Sequence, residues 1–351
     1  MKTAVLKGIR QIELVEKPVP EISPGQVLVK VEYCGICGSD VHAYQTGLFA
    51  PETVMGHEFS ATIETVGDGV DGFNKGDRVV ILPGSGEPCH ECYYCKNGTP
   101  NLCQNTPGVA PGLTPALDGG FAEYAKIPYP KSQLVRLPSE LSLKEAALCE
   151  PLAVAFHCVN LSKFKTGREI LVIGAGPIGL SIIDILRLKG AGKITVIEKS
   201  KQRGELAREF GAGEVLNPDD FENPFELRSK VFDLNSQMGP EIIYECAGMP
   251  ETFVLSTTLL RNSGQIMVAS IIEKEATFLP LGITLGELEI KGSYGFLESD
   301  FEEACTNLAK GKLRAPKMIS DVISLDEIVE KGFNELTVSQ GKIKIMVKPK
   351  K

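Results

Sequence analysis

The order of apolar and polar positions divides the chain into stretches of different character. Up to Pro151, apolar residues come in short alternating runs such as "QVLVKVEY", set between turn-rich segments such as "VGDGVDGFNKGDRV". Period-two alternation bounded by Gly and Asp predicts half-buried strands, and many short ones predict a β-barrel-like domain. The opening "MKTAVLKGIRQIELVEKPVP" alternates in the same way and breaks at its prolines. Further along, the pattern changes. In "EILVIGAGPIGLSIIDILRLKGAGKITVIEKS" the run "ILVI" reads as a parallel strand buried on both faces. A helical run follows to Leu188 and stops at Gly190, and residues 193–197 form a second strand ending at Glu198. "EIIYECAG", "GQIMVAS" and "LEIKGSYGF" predict further buried strands. Strands that alternate with helices predict a doubly wound parallel sheet. From about Leu297 the chain carries a helix in "SDFEEACTNLAKG" and a last strand in "KIKIMVK", which we expect to complete the first domain. The predicted fold class is α/β in two domains: residues 1–152 completed by 297–351, and residues 153–296. A chain of 351 residues exceeds the usual reach of one hydrophobic core.

Composition then removes whole classes of function. A net charge of −8 argues against a phosphate-binding surface, because nucleic-acid readers carry basic stripes. The longest uncharged run that is predominantly apolar, residues 170–183, falls short of the roughly 20 apolar residues of a membrane span. No opening stretch combines a basic start, an apolar core and a cleavage site. We expect a cytoplasmic protein with a small-molecule partner, no nucleic acid and no membrane.

Four of the ten cysteines fall within fifteen residues, "CHECYYCKNGTPNLC". Cys89, Cys92, Cys95 and Cys103 follow C-x2-C-x2-C-x7-C. Reducing conditions in the cytosol weigh against disulfides, and a redox CxxC belongs at a strand-to-helix junction that this Gly- and Asn-rich loop lacks. Four thiolates on a short loop converge on one zinc as a closed tetrahedral shell, which leaves no place for substrate. His90 is a bystander there, and Lys96 alone gives no nucleic-acid face.

Chemistry is therefore sought elsewhere. "YCGICGSDVHAYQTG" and "VMGHEFS" supply Cys37 and His57, a thiolate and an imidazole suited to zinc. Glu58 would ligate directly or act behind the ligands, and "LCEPLAVAFHCV" adds Glu150. Three protein ligands with an open position mark a catalytic zinc. Cys34 and Cys37 also permit a redox reading, and buried inert thiols are the plainer alternative; we take Cys34 as a core thiol.

The third signal is G-x-G-x-x-G at Gly174, Gly176 and Gly179, with Pro177 and Ile178 inside it, between a strand and a helix. Glu198 stands 19 residues past the last glycine, where a dinucleotide site places an acid for the ribose hydroxyls. The glycines admit the pyrophosphate to the helix N-terminus. Glu198 would favour NAD over NADP, although Lys199, Lys201 and Arg203 follow it; Arg203 is assigned to the adenine face.

Together "CGICGSDVH", "GHEFSATIETVGDGV", "GDRVV", the cysteine loop, "GGFAEY", "EPLAVAFH" and "GAGPIGL" resemble the zinc-dependent medium-chain dehydrogenases over nearly the whole chain. The resemblance implies a GroES-like catalytic domain, a Rossmann domain inserted before the C-terminal segment, and an active site in the cleft between them. It implies two zinc ions per chain, one catalytic and one structural, and NAD as cofactor. Catalytic zinc would sit on Cys37 and His57, with Glu150 as third ligand or bound through water while Glu58 ligates. Ser39 would take the substrate proton, His42 would pass it on, and Asp40 would orient His57. Lys344 would reach the cofactor pyrophosphate, and His157 would be a core residue. Glu150 in "CEPLA" resembles the sorbitol, butanediol and threonine dehydrogenase branch. The implied reaction is reversible hydride transfer between NAD and a secondary alcohol: a polyol, vicinal diol or β-hydroxy amino acid. A homo-oligomer, tetramer or dimer, is expected. The alternatives are a non-catalytic nucleotide binder and a zinc-free relative of quinone reductases.

Overall fold

The structure, a computed structural model, describes residues 1–84, 87–106, 108, 110–338 and 341–349. It separates into two compact units. The first comprises residues 1–150, 297–311 and 316–351, and the second residues 151–296 and 312–315.

In the first unit, strands Lys2–Gly8 and Gln11–Glu16 form a hairpin. A seven-stranded sheet runs Ile319–Ser324, Lys344–Lys348, Val27–Gly35, Glu58–Val66, Arg78–Ile81, Leu134–Arg136, with Tyr124–Ile127 also paired to Val27–Gly35. Alternation in "VLVKVEY" sends Val27, Val29 and Val31 into the core with Phe59, Ile63 and Phe121. Strand Lys344–Lys348 is antiparallel to Val27–Gly35 and lies between it and the edge strand Ile319–Ser324, so this late segment is built into the sheet of the first unit. Two short elements were not legible in the sequence: a π-helix over Ile328–Asn334, whose Ile328 and Phe333 are buried, and the helix Glu335–Val338.

The second unit is a six-stranded parallel sheet. Numbering its strands in chain order, they lie 3-2-1-4-5-6, the doubly wound dinucleotide-binding arrangement. Strand Glu169–Ile173 is buried along its whole apolar run because it sits at the middle of the sheet. The helix Pro177–Leu188 starts where Gly176 caps it and Pro177 supplies a preset φ at the first position. Gly174 has φ +93°, and a Cβ on Gly179 would overlap the Gly174 carbonyl oxygen. Gly174 is therefore required by backbone conformation and Gly179 by close approach. Strand Glu289–Gly292, read as buried from its sequence, lies at the sheet edge and is only half-buried. Among the described residues no helix is long and apolar enough to cross a membrane.

Candidate active site and structural metal loop

Strand Val27–Gly35 ends two residues before Cys37, which caps the helix Gly38–Thr46. Asp40, fully buried in the first turn, accepts the Cys37 N–H at 3.0 Å through Oδ2 and so holds the loop against the helix. His57 directly precedes the neighbouring strand Glu58–Val66, whose Glu58 pairs in register with Gly35. Two adjacent strand ends thus bring Cys37 and His57 together. One donor atom each from Cys37, His57 and Glu58 lies within 4.8 Å of the other two. His57 Nδ1 faces Asp40 Oδ1 at 3.6 Å, while Nε2 lies 3.4 Å from Ser39 Oγ. Apart from that mutual contact, neither Asp40 Oδ1 nor His57 Nδ1 has a hydrogen-bond partner among the described residues.

The electrostatics are those of a cation site. Burial opposes charge on His57, yet Asp40 first, then Cys37 and Glu150, outweigh it and raise its pKa well above the ordinary imidazole value. Burial raises Asp40, against the pull of His57. Glu150, in the first turn of helix Cys149–Leu161, is pushed up to about 7 by burial, with His57 lowering it and Glu58 raising it. Buried Asp40, Glu58 and Glu150 and the Cys37 thiol face only one imidazole and the Lys344 ammonium, and a divalent ion suits the remaining negative charge. The donor types are those of zinc, and the residues fit the metal. Glu150 stands outside the tight three-residue group, although it feels the charges of His57 and Glu58. His42 is half-buried on the same helix as Ser39 and Asp40.

The four-cysteine loop fits a second ion. Cys89 and Cys103 sulfurs are 3.5 Å apart, Cys92 and Cys103 3.8 Å, and Cys89 and Cys95 4.0 Å. A tetrahedron with zinc–sulfur bonds of about 2.3 Å has edges of about 3.8 Å, whereas a disulfide needs about 2.05 Å. Backbone N–H groups of Glu91 and Cys92 lower Cys89 to about 6, while burial and Cys92 push Cys95 up to about 12. Thiols this close cannot all ionise unless a cation joins them.

In the second unit, Glu198 follows strand Lys193–Ile197 and reaches the glycine turn. Its Oε2 accepts the Ala175 N–H at 2.7 Å and its Oε1 the Ser200 N–H at 2.8 Å. Gly174, Gly176, Pro177, Ile178 and Gly179 therefore share one turn with the acid of the second strand. Arg203 lies in the first turn of helix Lys201–Phe210, its N–H on the capping Ser200 hydroxyl at 3.4 Å.

One expectation needs correction. Lys344 is no free cation for a pyrophosphate. It is buried in the first unit, and its ammonium bonds both oxygens of Glu58, at 2.7 and 2.6 Å. "KIKIMVK" gave no hint of this, because a strand lysine ordinarily faces solvent. Sequence reasoning also passed over Glu245. This fully buried acid accepts from Ala247 N, Gly248 N and the Thr252 and Ser270 hydroxyls. A glutamate closing the apolar run "IIYE" was the available signal.

Comparison with known proteins agrees with both units. The family description "Alcohol dehydrogenase GroES-like domain" matches residues 23–139, and "Zinc-binding dehydrogenase" matches residues 177–310. (R,R)-butanediol dehydrogenase of Bacillus subtilis is 35% identical over 98% of this chain and 97% of its own. A probable D-xylulose reductase A of Aspergillus clavatus is 33% identical over 96% of this chain and 94% of its own. The crystal structure of the Bacillus subtilis 2R,3R-butanediol dehydrogenase superimposes with a TM-score of 0.89 at 32% identity, over 99% of each chain. An Escherichia coli alcohol dehydrogenase solved with NADH gives 0.88 at 29%, again over 99% of each. Fold and sites define a two-unit, zinc- and NAD-dependent oxidoreductase acting on alcohols. The chain belongs to the zinc-dependent medium-chain dehydrogenase family.

Proposed function

We propose that the protein oxidises a secondary alcohol bearing a neighbouring hydroxyl, a vicinal diol or polyol, to its ketone, and runs the reverse reduction. The relatives named for butanediol and xylulose favour these substrates over a β-hydroxy amino acid. The observation that carries the reading is the convergence of Cys37, His57 and Glu58 beside the Ser39 hydroxyl.

Cys37 and His57 hold the catalytic zinc, with the third ligand drawn from Glu58 and Glu150. Zinc held there supplies Lewis acidity, which lowers the proton affinity of the substrate hydroxyl. Asp40 fixes the ring of His57 through Nδ1 and leaves Nε2 for the metal, as a carboxylate behind a ligand histidine does. Ser39 Oγ, beside that nitrogen, accepts the hydroxyl proton, and His42 passes it to water. Cys89, Cys92, Cys95 and Cys103 close a zinc shell that serves stability. The glycine turn takes the pyrophosphate of NAD, Glu198 the adenosine ribose, and Arg203 the adenine face. The experiment is a panel of secondary alcohols with NAD, followed by NADH absorbance and paired with metal analysis. About two zinc ions per chain and turnover with diols or polyols are expected; one ion and no turnover would refute the reading.

The assembly is a homo-oligomer. The edge strand Glu289–Gly292 and the exposed Ile271, Leu279, Leu281 and Leu285 support this, and light scattering after gel filtration checks it. The compartment is the cytoplasm, since the cysteine loop needs reduced thiols, and cell fractionation checks that.

A further inference from the structure

Glu245 ends the fourth strand of the parallel sheet, Ile242–Glu245, and has no part in the metal or proton chemistry above. Its side chain is fully buried, and its four donors are neutral. Oε1 accepts the Ala247 N–H at 3.0 Å, the Gly248 N–H at 3.1 Å and the Thr252 hydroxyl at 2.8 Å, while Oε2 accepts the Ser270 hydroxyl. These bonds offset a desolvation cost that an apolar residue at this position would never incur. The donors belong to loops after two neighbouring strands. The fifth strand, Gln265–Val268, pairs in register with the fourth, and Ser270 follows it by two residues. One side chain thus ties the turn after the fourth strand to the segment after the fifth. Backbone packing repeats the link: a Cβ on Gly248, at φ +75°, would lie 3.1 Å from the Ile271 carbonyl oxygen. On its other side the same turn meets the glycine turn, where a Cβ on Gly174 would lie 3.0 Å from Ala247 Cα.

In a doubly wound sheet the dinucleotide crosses the carboxyl ends of the strands where their order reverses, here between the first and the fourth. With the adenosine on the Glu198 side of the glycine turn, the nicotinamide half falls on the ends of the fourth and fifth strands. We propose that Glu245 is a positioning residue that fixes the seat of the nicotinamide ring by tying Ser270 to the Ala247–Gly248 turn. The inference rests on the glycine-turn reading of the nucleotide site above. A loop left untied would still offer its backbone to the ring, but the ring would have to order it on binding.

The test measures, by calorimetry on the zinc-loaded protein, the dissociation constants of NADH and of ADP-ribose, which lacks the nicotinamide ring. S270A cuts the tie between the two loops. T252V cuts the bond from the same carboxylate to the helix Pro250–Leu259 and leaves the loops tied. S270A is expected to weaken NADH about tenfold, the worth of one hydrogen bond to a charged group, and ADP-ribose less than about twofold. T252V should lower the thermal midpoint while the ratio of the two constants stays at its wild-type value. A loss in S270A that is equal for both ligands, or absent, overturns the proposal, and so does the same change of ratio in T252V. If S270A does not fold, S270C, which fills the space with a weaker donor, carries the comparison: weaker NADH relative to ADP-ribose supports the tie, and a wild-type ratio overturns it. Wild type that binds neither ligand would remove the nucleotide reading itself. Wild type that binds both, with S270A unchanged, would remove only the role of Glu245.

Discussion

Replacing Asp40 with asparagine isolates what its charge does, because the side chain keeps its shape. The amide oxygen can still accept the Cys37 N–H that Oδ2 takes at 3.0 Å, so the start of the helix Gly38–Thr46 should survive. What is lost is the anion opposite His57 Nδ1, the largest influence raising the His57 pKa. For the metal, losing a carboxylate behind a ligand histidine typically costs 10–100-fold in affinity, or about 1.4–2.7 kcal/mol. For the metal-free protein the sign depends on pH. A His57 pKa raised on folding adds stability below about pH 6.5, and that stability is lost as pH rises through the raised value. An Asp40 pKa raised by burial works against the folded state once pH exceeds the ordinary carboxylate value. D40N removes most of the first contribution and all of the second. The metal-free variant should therefore gain on wild type as pH rises through the raised His57 value, while holding zinc more weakly throughout. Urea unfolding of the metal-free proteins across pH, together with chelator competition of the loaded ones, measures both. Wild-type zinc affinity in D40N, or a stability difference independent of pH, would refute the reasoning.

The other sites give simpler expectations. Cys95→Ser opens the sulfur shell and should lower the thermal midpoint or solubility, since a closed zinc site contributes folding energy; a midpoint equal to wild type with one zinc lost would show that the loop ion does not stabilise. Ser39→Ala should lose about 10²-fold or more of the oxidation rate with NAD binding retained, and His42→Ala less, because water can replace the outer group; an unchanged rate and pH profile in Ser39→Ala counts against the relay. Glu198→Ala should narrow the preference for NAD over NADP in kcat/KM, chiefly by weakening NAD, because it removes the ribose acceptor and also frees Ala175 N and Ser200 N; a wild-type preference for NADP would overturn that role.

How much the sequence disclosed depended on how locally each feature is encoded. The glycine turn, the acid ending the second strand and the cysteine loop are set by short spacings, and each was legible before any fold was known. Cys37 and His57 were legible as residue types, yet their meeting depends on the register between Val27–Gly35 and Glu58–Val66. The least legible feature was Lys344. Its partner lies 286 residues away, and only the insertion of the last strand beside Val27–Gly35 brings them together. Alternation in "KIKIMVK" predicts a strand but not its neighbour. In the same way, "LEIKGSYGF" looked apolar enough for a buried strand, but burial depends on sheet order, and this strand came last.

The two metal groups show how donor type divides the work. Around the loop, four sulfurs spaced near the edges of a zinc–sulfur tetrahedron neutralise one another through the ion and leave no coordination site, so the group can only hold the loop. The Cys37–His57 group is built oppositely. It has one sulfur, one imidazole steadied by a buried acid, and carboxylates that are raised by burial or tied to a lysine. Burial and the lysine weaken the carboxylates as donors, whereas Asp40 strengthens the imidazole. A site assembled for stability alone would gain from replacing them with cysteine. That it carries them beside a serine hydroxyl is the physical argument for chemistry here.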